Sequence, residues 1–197
     1  MLKIIEKDLS NDSTIRTAAY AKYFAKIDNV NDIKEAMIFI ESKKIKFKIL
    51  GNGSNILFSK DYYDDILFLK LGSEFKSFNL LNDYVQIGGA YSLVQAGRKL
   101  INEGYENYIF FNLIPATIGG AIRQNAGTGK GEEIKDVCIS CKLFDIKNMK
   151  MVELSNKLLQ FRYRHSIIKD YPDKYIVISA KFKLEKKIDD TNILISE

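Results

Sequence analysis

Two glycine-rich segments of this chain have the residue types and spacing that suit a phosphate-bearing ligand. The first, Gly51-Asn-Gly-Ser-Asn55, directly follows a strand-like sequence at residues 46–50. The second runs from Leu113 to Gly127 and interrupts an apolar run with Pro115, Asn125 and three glycines. Glycine admits positive φ and leaves space at Cα, so its backbone N–H can approach a ligand closely. Two such segments predict one large ligand, whose phosphate oxygens would meet backbone amides and the serine hydroxyl of the first segment.

The first segment could also be a tight turn without a ligand, and two familiar nucleotide motifs do not fit the chain. The segment lacks the third glycine of a dinucleotide-binding fingerprint, and residues 56–58 look extended rather than helical. A P-loop fails because Gln124 occupies the position where that motif needs its first glycine. The remaining interpretation is a phosphate-binding turn without a long helix behind it.

Length and composition limit the classes of protein to consider. The 197 residues are 46% hydrophobic and 28% charged, which is enough to bury a core in one domain or two small lobes. A formal net charge of +5 suits an anionic small molecule, while lysines scattered from Lys3 to Lys187 disfavour nucleic acid. No apolar run approaches the roughly 20 residues that cross a bilayer, and a signal-peptide pattern is missing. We therefore expect a cytoplasmic protein with neither a membrane nor a nucleic-acid partner.

The cysteines of the chain, Cys138 and Cys141, lie in a segment that alternates like a half-buried strand. Residues three apart on a strand point to opposite faces, whereas a C-x-x-C redox motif opens a helix. Zinc is disfavoured because the chain has one histidine. We therefore expect two unpaired strand thiols and no metal site.

The first part of the chain has the pattern of a small α/β lobe. Asn31 is placed to cap a helix over residues 32–44, whose apolar residues recur at helical spacing. Strands at residues 46–50 and 66–70 would flank the first glycine segment. We expect this lobe to span residues 1–71.

Residues 72–185 have the pattern of a second, α+β lobe, followed by a polar tail at residues 186–197. A strand at residues 84–88 precedes a helix that Ser92 can cap and Gly104 can close. Later in this lobe, two strands form a hairpin, and a last strand alternates so that we expect it to cover a core on one side only. These three strands are expected at residues 137–145, 151–154 and 175–184.

Three motifs, in this order, resemble those of the UDP-N-acetylenolpyruvoylglucosamine reductase family, also called UDP-N-acetylmuramate dehydrogenases. They are Gly51-Asn-Gly-Ser-Asn55, then Ile114-Pro-Ala-Thr-Ile-Gly-Gly120 with Asn125-Ala-Gly127, then Tyr163-Arg-His-Ser166. Thr14-Ile-Arg-Thr-Ala-Ala19 is similar to the family's N-terminal signature, with alanines in place of two glycines. The resemblance covers most of the chain.

The resemblance implies an α+β, two-lobed FAD-binding fold of the vanillyl-alcohol-oxidase (PCMH) type. The first glycine segment would hold the diphosphate, and the second would line the other side of the flavin. The cofactor-binding residues that it implies are Leu50, Gly51, Asn52, Gly53, Ser54, Asn55, Ile114, Pro115, Ala116, Thr117, Gly119, Gly120, Asn125, Ala126 and Gly127.

In this family, NADPH reduces FAD, and the flavin then passes a hydride to the enolpyruvyl group of a UDP-sugar, a step of peptidoglycan synthesis for the cell wall. The resemblance implies that Arg164 stabilises the developing negative charge, for which a planar, permanent cation is suited. Tyr163 would position the substrate or the arginine. Arg162 and Arg164 would point the same way on an extended segment, or they could be a surface basic pair. We expect His165 to be a solvated neighbour and Ser166 to be structural.

Family members also carry a third, C-terminal lobe that grips the UDP-sugar and supplies a proton-donating serine, and nothing in this sequence matches it. The substrate could therefore be a different nucleotide sugar or a surface glycan. Alternatively, the chain could be a flavin-binding accessory protein that lacks the reductase reaction. An open flavin edge would favour a homo-oligomer in which a second copy covers it.

Overall fold

The computed structural model describes residues 1–129 and 131–185, and the strands in these ranges form two sheets. The strands of the first sheet are β1 Ile4–Asp8, β2 Tyr20–Ile27, β3 Lys46–Leu50 and β4 Tyr62–Leu71. Their order is β1-β2-β4-β3, with β1 antiparallel to β2 and with β4 parallel to both β2 and β3. Helix α1, Val30–Lys43, makes the crossover from β2 to β3 that parallel strands require.

Helix α1 begins two residues earlier than the sequence predicted, because Asn29 rather than Asn31 is its N-cap. The Asn29 side chain accepts a hydrogen bond from the backbone N–H of Asp32, whose carboxylate in turn accepts from the Asn29 N–H. This reciprocal capping box satisfies two backbone donors that would otherwise lack partners. The helix buries Ile33 and Ala36, so its predicted apolar face is confirmed.

The second sheet is antiparallel throughout its described strands, in the order β5-β6-β9-β7-β8. These strands are β5 Phe78–Leu80, β6 Tyr84–Gly88, β7 Cys138–Asp145, β8 Lys150–Ser155 and β9 Tyr175–Lys183. Four helices belong to the same part of the chain: α2 Leu93–Asn102, α3 Ile118–Gln124, α4 Ile134–Val137 and α5 Ile167–Asp170. The predicted Ser92 cap, the strand over residues 84–88 and the β7–β8 hairpin are confirmed.

Strand β9 is buried on both faces over its first half, so the expectation of a one-sided strand was wrong. Ala180 and Phe182 pack in the core beneath α2, whereas Ile176 and Ile178 pack in a second core shared with the first sheet. Val177 joins the first of these cores because the β7–β9 register shifts by one residue beside it. Such a bulge interrupts the alternation on which the prediction depended.

A second bulge changes the expected placement of the cysteines. The β7–β9 register also shifts between Cys138 and Ser140, which places Cys138 and Cys141 in the same core instead of on opposite faces. Both thiols are free and buried. Burial raises the pKa of the Cys138 thiol to about 12 and that of Cys141 well above its ordinary value. Neither thiol is therefore a reactive thiolate at neutral pH.

The two sheets meet through a common apolar core. Phe144, Ile176 and Ile178 of the second sheet pack with buried residues of the first sheet and with α1. The sheets lie on either side of the expected boundary after residue 71, while the domain bounds themselves stay a prediction. The expected polar tail at residues 186–197 lies outside the described residues. No helix in the described ranges is both long and apolar enough to cross a membrane.

Candidate functional site

A cavity of about 700 Å³ lies between the two sheets. This volume is within the range of roughly 300–1,000 Å³ that is usual for small-molecule and cofactor sites. Both parts of the chain line it, the first through β3, β4 and residues 51, 52 and 56–59, and the second through residues 89–92, α3 and the start of β9. A ligand here would contact both sheets at once.

The outer edge of β3 forms one wall of this cavity. Consecutive residues from Phe47 to Asn52 line it, although alternate strand residues point to opposite faces. This is the arrangement expected when a ligand site runs along a strand edge rather than over a sheet face. No strand in the described ranges pairs with that edge, which leaves its backbone donors and acceptors available to a ligand.

The charged residues in the described part of the cavity wall are all basic. They are Lys48, Lys70, Lys76 and Arg123. The Arg123 guanidinium donates to the backbone oxygen of Ile168 at 3.0 Å. Burial lowers the pKa of Arg123 below its ordinary value, but a guanidinium stays charged at neutral pH. The electrostatics of the cavity therefore favour an anionic ligand.

Two glycines of the first turn are required by close approaches within the protein. A Cβ on Gly51 would lie 2.9 Å from Oγ1 of Thr117, so the lack of a side chain lets the two predicted glycine segments come together. Gly53 has φ of +71°, and a Cβ there would lie 1.9 Å from the backbone oxygen of Asp12. The glycine turn therefore packs closely against Thr117 at Gly51 and against Asp12 at Gly53.

The structure brings part of the predicted cofactor set into the cavity wall. The predicted residues that line the cavity are Leu50, Gly51, Asn52, Thr117, Gly119 and Gly120. The predicted residues that lie outside its wall are Gly53, Ser54, Asn55, Ile114, Pro115, Ala116, Asn125, Ala126 and Gly127. The start of the first glycine segment and the middle of the second thus contribute to one site.

Asn125 makes its contacts within the protein. It is fully buried with φ of +43°, and its Nδ2 donates to Glu133 at 2.9 Å and to the backbone oxygen of Arg162 at 3.0 Å. Its Oδ1 accepts from the backbone N–H of Lys135 at 2.9 Å. These bonds connect the end of α3 to the start of α4 and to the turn that carries the predicted catalytic residues.

Tyr163 and Arg164 lie at the corner of a tight turn rather than on an extended segment, and they lie outside the cavity wall. Reciprocal backbone hydrogen bonds of 3.1 and 3.0 Å between Arg162 and His165 close this turn. Arg164 has φ of +52°, so residues 162–164 do not form the extended segment on which Arg162 and Arg164 would point the same way. The Tyr163 side chain is 78% exposed and stacks under the Arg164 guanidinium.

The other residues of that motif, His165 and Ser166, are held by hydrogen bonds. The imidazole of His165 is 19% exposed, and its Nε2 lies 2.7 Å from a carboxylate oxygen of Asp170, so it is less solvated than predicted. Ser166 is fully buried and donates to the backbone oxygen of Arg123 at 2.9 Å, which fits its expected structural role. Hydrogen bonding from Lys135 lowers the pKa of the Glu133 carboxyl, and the nearby charge of Arg164 adds to this effect.

Many residues of the cavity wall had no sequence signal. They lie in β4, at residues 56–59, 76 and 172, around Gly89, in α2 and α3 and at the start of β9, positions that strand pairing, helix packing and loop packing bring to the site. The main ones are Phe58, Tyr63, Phe68, Lys70, Lys76, Gly89, Tyr91, Gln95, Arg123, Pro172 and Tyr175. Strand register could have pointed to Lys70, which pairs in parallel with the last positions of β3.

These features fit FAD. The wall combines aromatic and aliphatic side chains for an apolar ring system with backbone donors and fixed cations for a diphosphate. Among the described residues, no group of histidine, cysteine or acidic side chains is arranged to hold a metal ion.

Comparison with known proteins agrees with this assignment. A family model described as "FAD binding domain" matches residues 21–155. UDP-N-acetylenolpyruvoylglucosamine reductases from Francisella tularensis subsp. tularensis and Pelagibacter ubique are 31% and 32% identical to the chain over 91% of its length. The chain covers 61% and 58% of those two proteins, so it spans about three fifths of the length of these relatives.

Solved structures share the fold. A UDP-N-acetylenolpyruvylglucosamine reductase from Thermus caldophilus aligns with a TM-score of 0.79 at 22% identity, covering 95% of this chain and 64% of the other. The BBE-like 1 protein of Physcomitrella patens aligns with a TM-score of 0.65 at 18% identity, covering 94% of this chain and 42% of the other. The predicted α+β fold of the vanillyl-alcohol-oxidase type is thereby confirmed. The chain belongs to the FAD binding domain family, as a relative of the UDP-N-acetylenolpyruvoylglucosamine reductases.

Proposed function

We propose that this chain is an FAD-dependent oxidoreductase that uses NADPH to reduce an enolpyruvyl UDP-sugar or a similar nucleotide sugar. The observation that carries the proposal is the cavity between the sheets, where glycine-lined backbone and basic side chains meet apolar walls. The reductase relatives add support over most of the chain. In this proposal the protein acts in the cytoplasm, in the synthesis of a cell-wall precursor or a related surface glycan.

The residues of the chain would divide the work between cofactor and substrate. When bound, FAD would accept a hydride from NADPH and deliver one to the substrate double bond, and a proton from water would complete the reduction. The glycine turn at residues 51–55 and the edge of β3 would bind its diphosphate. Arg164 would offer a fixed positive charge to the substrate carboxylate as negative charge develops, and Tyr163, stacked against it, would hold the guanidinium in place.

Anaerobic reduction tests this proposal. NADPH should bleach the flavin absorption of the reconstituted protein, and an enolpyruvyl UDP-sugar should then restore it. Arg164→Ala should slow the second step by about 10²–10³-fold while FAD stays bound. Arg98→Ala, which removes an exposed arginine of α2, is the matched control and should change neither step. Unaltered turnover in Arg164→Ala would refute the role of Arg164 alone.

A second candidate function is flavin binding without the reductase reaction. The position of Tyr163 and Arg164 outside the cavity wall favours it. In that case the protein would retain FAD that NADPH cannot bleach, whereas rapid bleaching followed by reoxidation with the sugar would exclude this candidate.

The proposal also includes a homo-oligomer in which a second copy covers the open side of the cavity. Light scattering of the FAD-bound protein checks it. A dimer or larger species is expected, and a strict monomer that turns over substrate would contradict this part of the proposal.

A further inference from the structure

Lys70 lies beside the glycine turn, although no sequence motif marked it. In the parallel pairing of β3 with β4, Lys70 is the partner of Leu50, the residue directly before Gly51. Lys70 is also one of the residues of the cavity wall. The register of β3 and β4 therefore places Lys70 beside the residue at which the chain enters the Gly51–Asn55 turn.

Asp12 holds this cation in position. One carboxylate oxygen of Asp12 lies 2.6 Å from Nζ of Lys70, and the other lies 2.7 Å from Nζ of Lys7. The Asp12 side chain is 5% exposed, while the two lysines are partly exposed. Two ammonium groups share one carboxylate, so the cluster of Lys7, Asp12 and Lys70 carries one positive charge in excess.

The same segment supports the glycine turn. The backbone oxygen of Asp12 lies where a Cβ of Gly53 would be, and the N–H of Thr14 donates to the Gly53 oxygen at 3.2 Å. The turn, Asp12 and Lys70 are thus packed together. A ligand group that reaches the turn meets the excess charge of the cluster.

We propose that Lys70, held by Asp12, is a binding residue for an anionic diphosphate at the Gly51–Asn55 turn. This inference rests on the proposed function, in which that turn faces the diphosphate of FAD. An ammonium group has three N–H donors, and Asp12 takes part of them, which leaves the others for phosphate oxygens. Because Asp12 already fixes the side chain, less conformational entropy is lost when the ligand binds.

Titration of FAD into charge variants tests the inference. Lys70→Met should weaken FAD binding by about tenfold or more, because it removes a hydrogen bond to a charged group. Lys70→Arg, which keeps the charge, should stay within about threefold of the natural protein. Lys46→Met is the matched control, since Lys46 is exposed on the same strand pair and lies outside the cavity wall. Equal FAD affinity in Lys70→Met and Lys46→Met would overturn the inference.

Lysine labelling with inorganic pyrophosphate provides a second test, which needs neither FAD nor a variant. Acetylation of Lys70 in the natural protein should fall when pyrophosphate is added, while that of Lys46 should not change. If Lys70→Met does not fold, unchanged labelling of Lys70 would overturn the inference on its own. A protein that binds no FAD but shows this protection would refute the proposed function and uphold the inference. If Lys70→Met binds FAD as tightly as the natural protein, the inference would be refuted and the proposed function upheld.

Discussion

At the scale of single residues, the site depends on a few positions that should not tolerate substitution. Asp12 is the clearest charged example, because one buried carboxylate accepts from two lysines. Burial alone would raise the pKa of the Asp12 carboxyl, but the hydrogen bonds from Lys7 and Lys70 lower it below its ordinary value. The folded state therefore favours the ionised form.

Asp12→Asn should lower the free energy of unfolding at pH 7 by about 1–3 kcal/mol. Since the pKa of Asp12 is lower in the folded state, its contribution is complete above the ordinary value near 4 and is lost as the pH falls further. Urea unfolding at a series of pH values should show that the difference in the free energy of unfolding between the natural protein and Asp12→Asn becomes smaller below about pH 4. Asp65→Asn, at an exposed position, should change stability by less than about 0.5 kcal/mol. A response of Asp12→Asn no larger than that control would refute the prediction.

Gly53 is the clearest uncharged example. Gly53→Ala should cost about 3 kcal/mol, because the new Cβ would overlap the Asp12 backbone oxygen at a positive φ. Gly104→Ala is a matched control with φ of +89° and open space around the Cβ, so it should cost only about 1 kcal/mol. Thermal unfolding without cofactor compares them. Equal losses would mean that close packing at the turn is not what requires Gly53.

The glycine segments could be predicted from sequence because residue type alone reports on close backbone approach. Lys70 and Arg123 were not predicted: no motif lies near Lys70, and Arg123, although inside the second glycine segment, is of a type that is usually solvated. Their places in the cavity wall come from strand register and helix docking. When tertiary structure alone brings a residue into a site, a single sequence does not identify that residue as part of the site.

At the scale of elements, the link between α3 and the turn at residues 162–165 connects the cavity to the predicted catalytic residues. Asn125 ends α3 and bonds the turn through the backbone oxygen of Arg162, while the Ser166 hydroxyl bonds the backbone oxygen of Arg123. α3 also presents Gly119, Gly120 and Arg123 to the cavity. A substitution at the end of α3 should therefore also alter the position of the turn at residues 162–165.

Asn125→Ala should destabilise the cofactor-free protein by about 2–4 kcal/mol, because it leaves buried groups without partners. Asn125→Gly separates the two contributions: glycine accepts the positive φ, so it should cost about 1 kcal/mol less than alanine. Denaturant unfolding of both variants checks this. A stable Asn125→Ala protein that fails only in FAD binding would show that Asn125 serves the ligand instead.

Elements with an unbroken pattern were predicted well, and those with bulges were not. The spacing of Leu93, Ala96 and Leu100 predicted α2, and Ser92 caps it as expected. Strand β2 was missed because a register shift between Ala21 and Tyr23 breaks its alternation. The face assignment of β9 failed at the similar shift beside Val177. A bulge is decided by the partner strand, so a single strand sequence does not reveal it.

At the scale of the whole molecule, the two sheets share a core on one side and enclose the cavity on the other. A ligand in the cavity contacts both sheets, so its binding energy should stabilise the entire fold. FAD at about 100 times its dissociation constant would add about 2.7 kcal/mol. For a chain of this size, that corresponds to a rise in Tm of about 5–10 °C.

Thermal unfolding followed by circular dichroism measures this rise. One cooperative transition, shifted upward by FAD, is expected. Lys46→Met should show the same shift because its side chain lies outside the cavity wall. If saturating FAD does not raise the Tm, the claim that a ligand in the cavity binds both sheets would be contradicted.

Reconstitution with FAD, followed by gel filtration and a visible absorption spectrum of the protein peak, tests most directly whether this cavity is a flavin site. Flavin and protein should elute together in equal amounts, with an absorption band displaced from that of free FAD. A folded protein that leaves the column colourless after incubation with excess FAD would contradict the assignment.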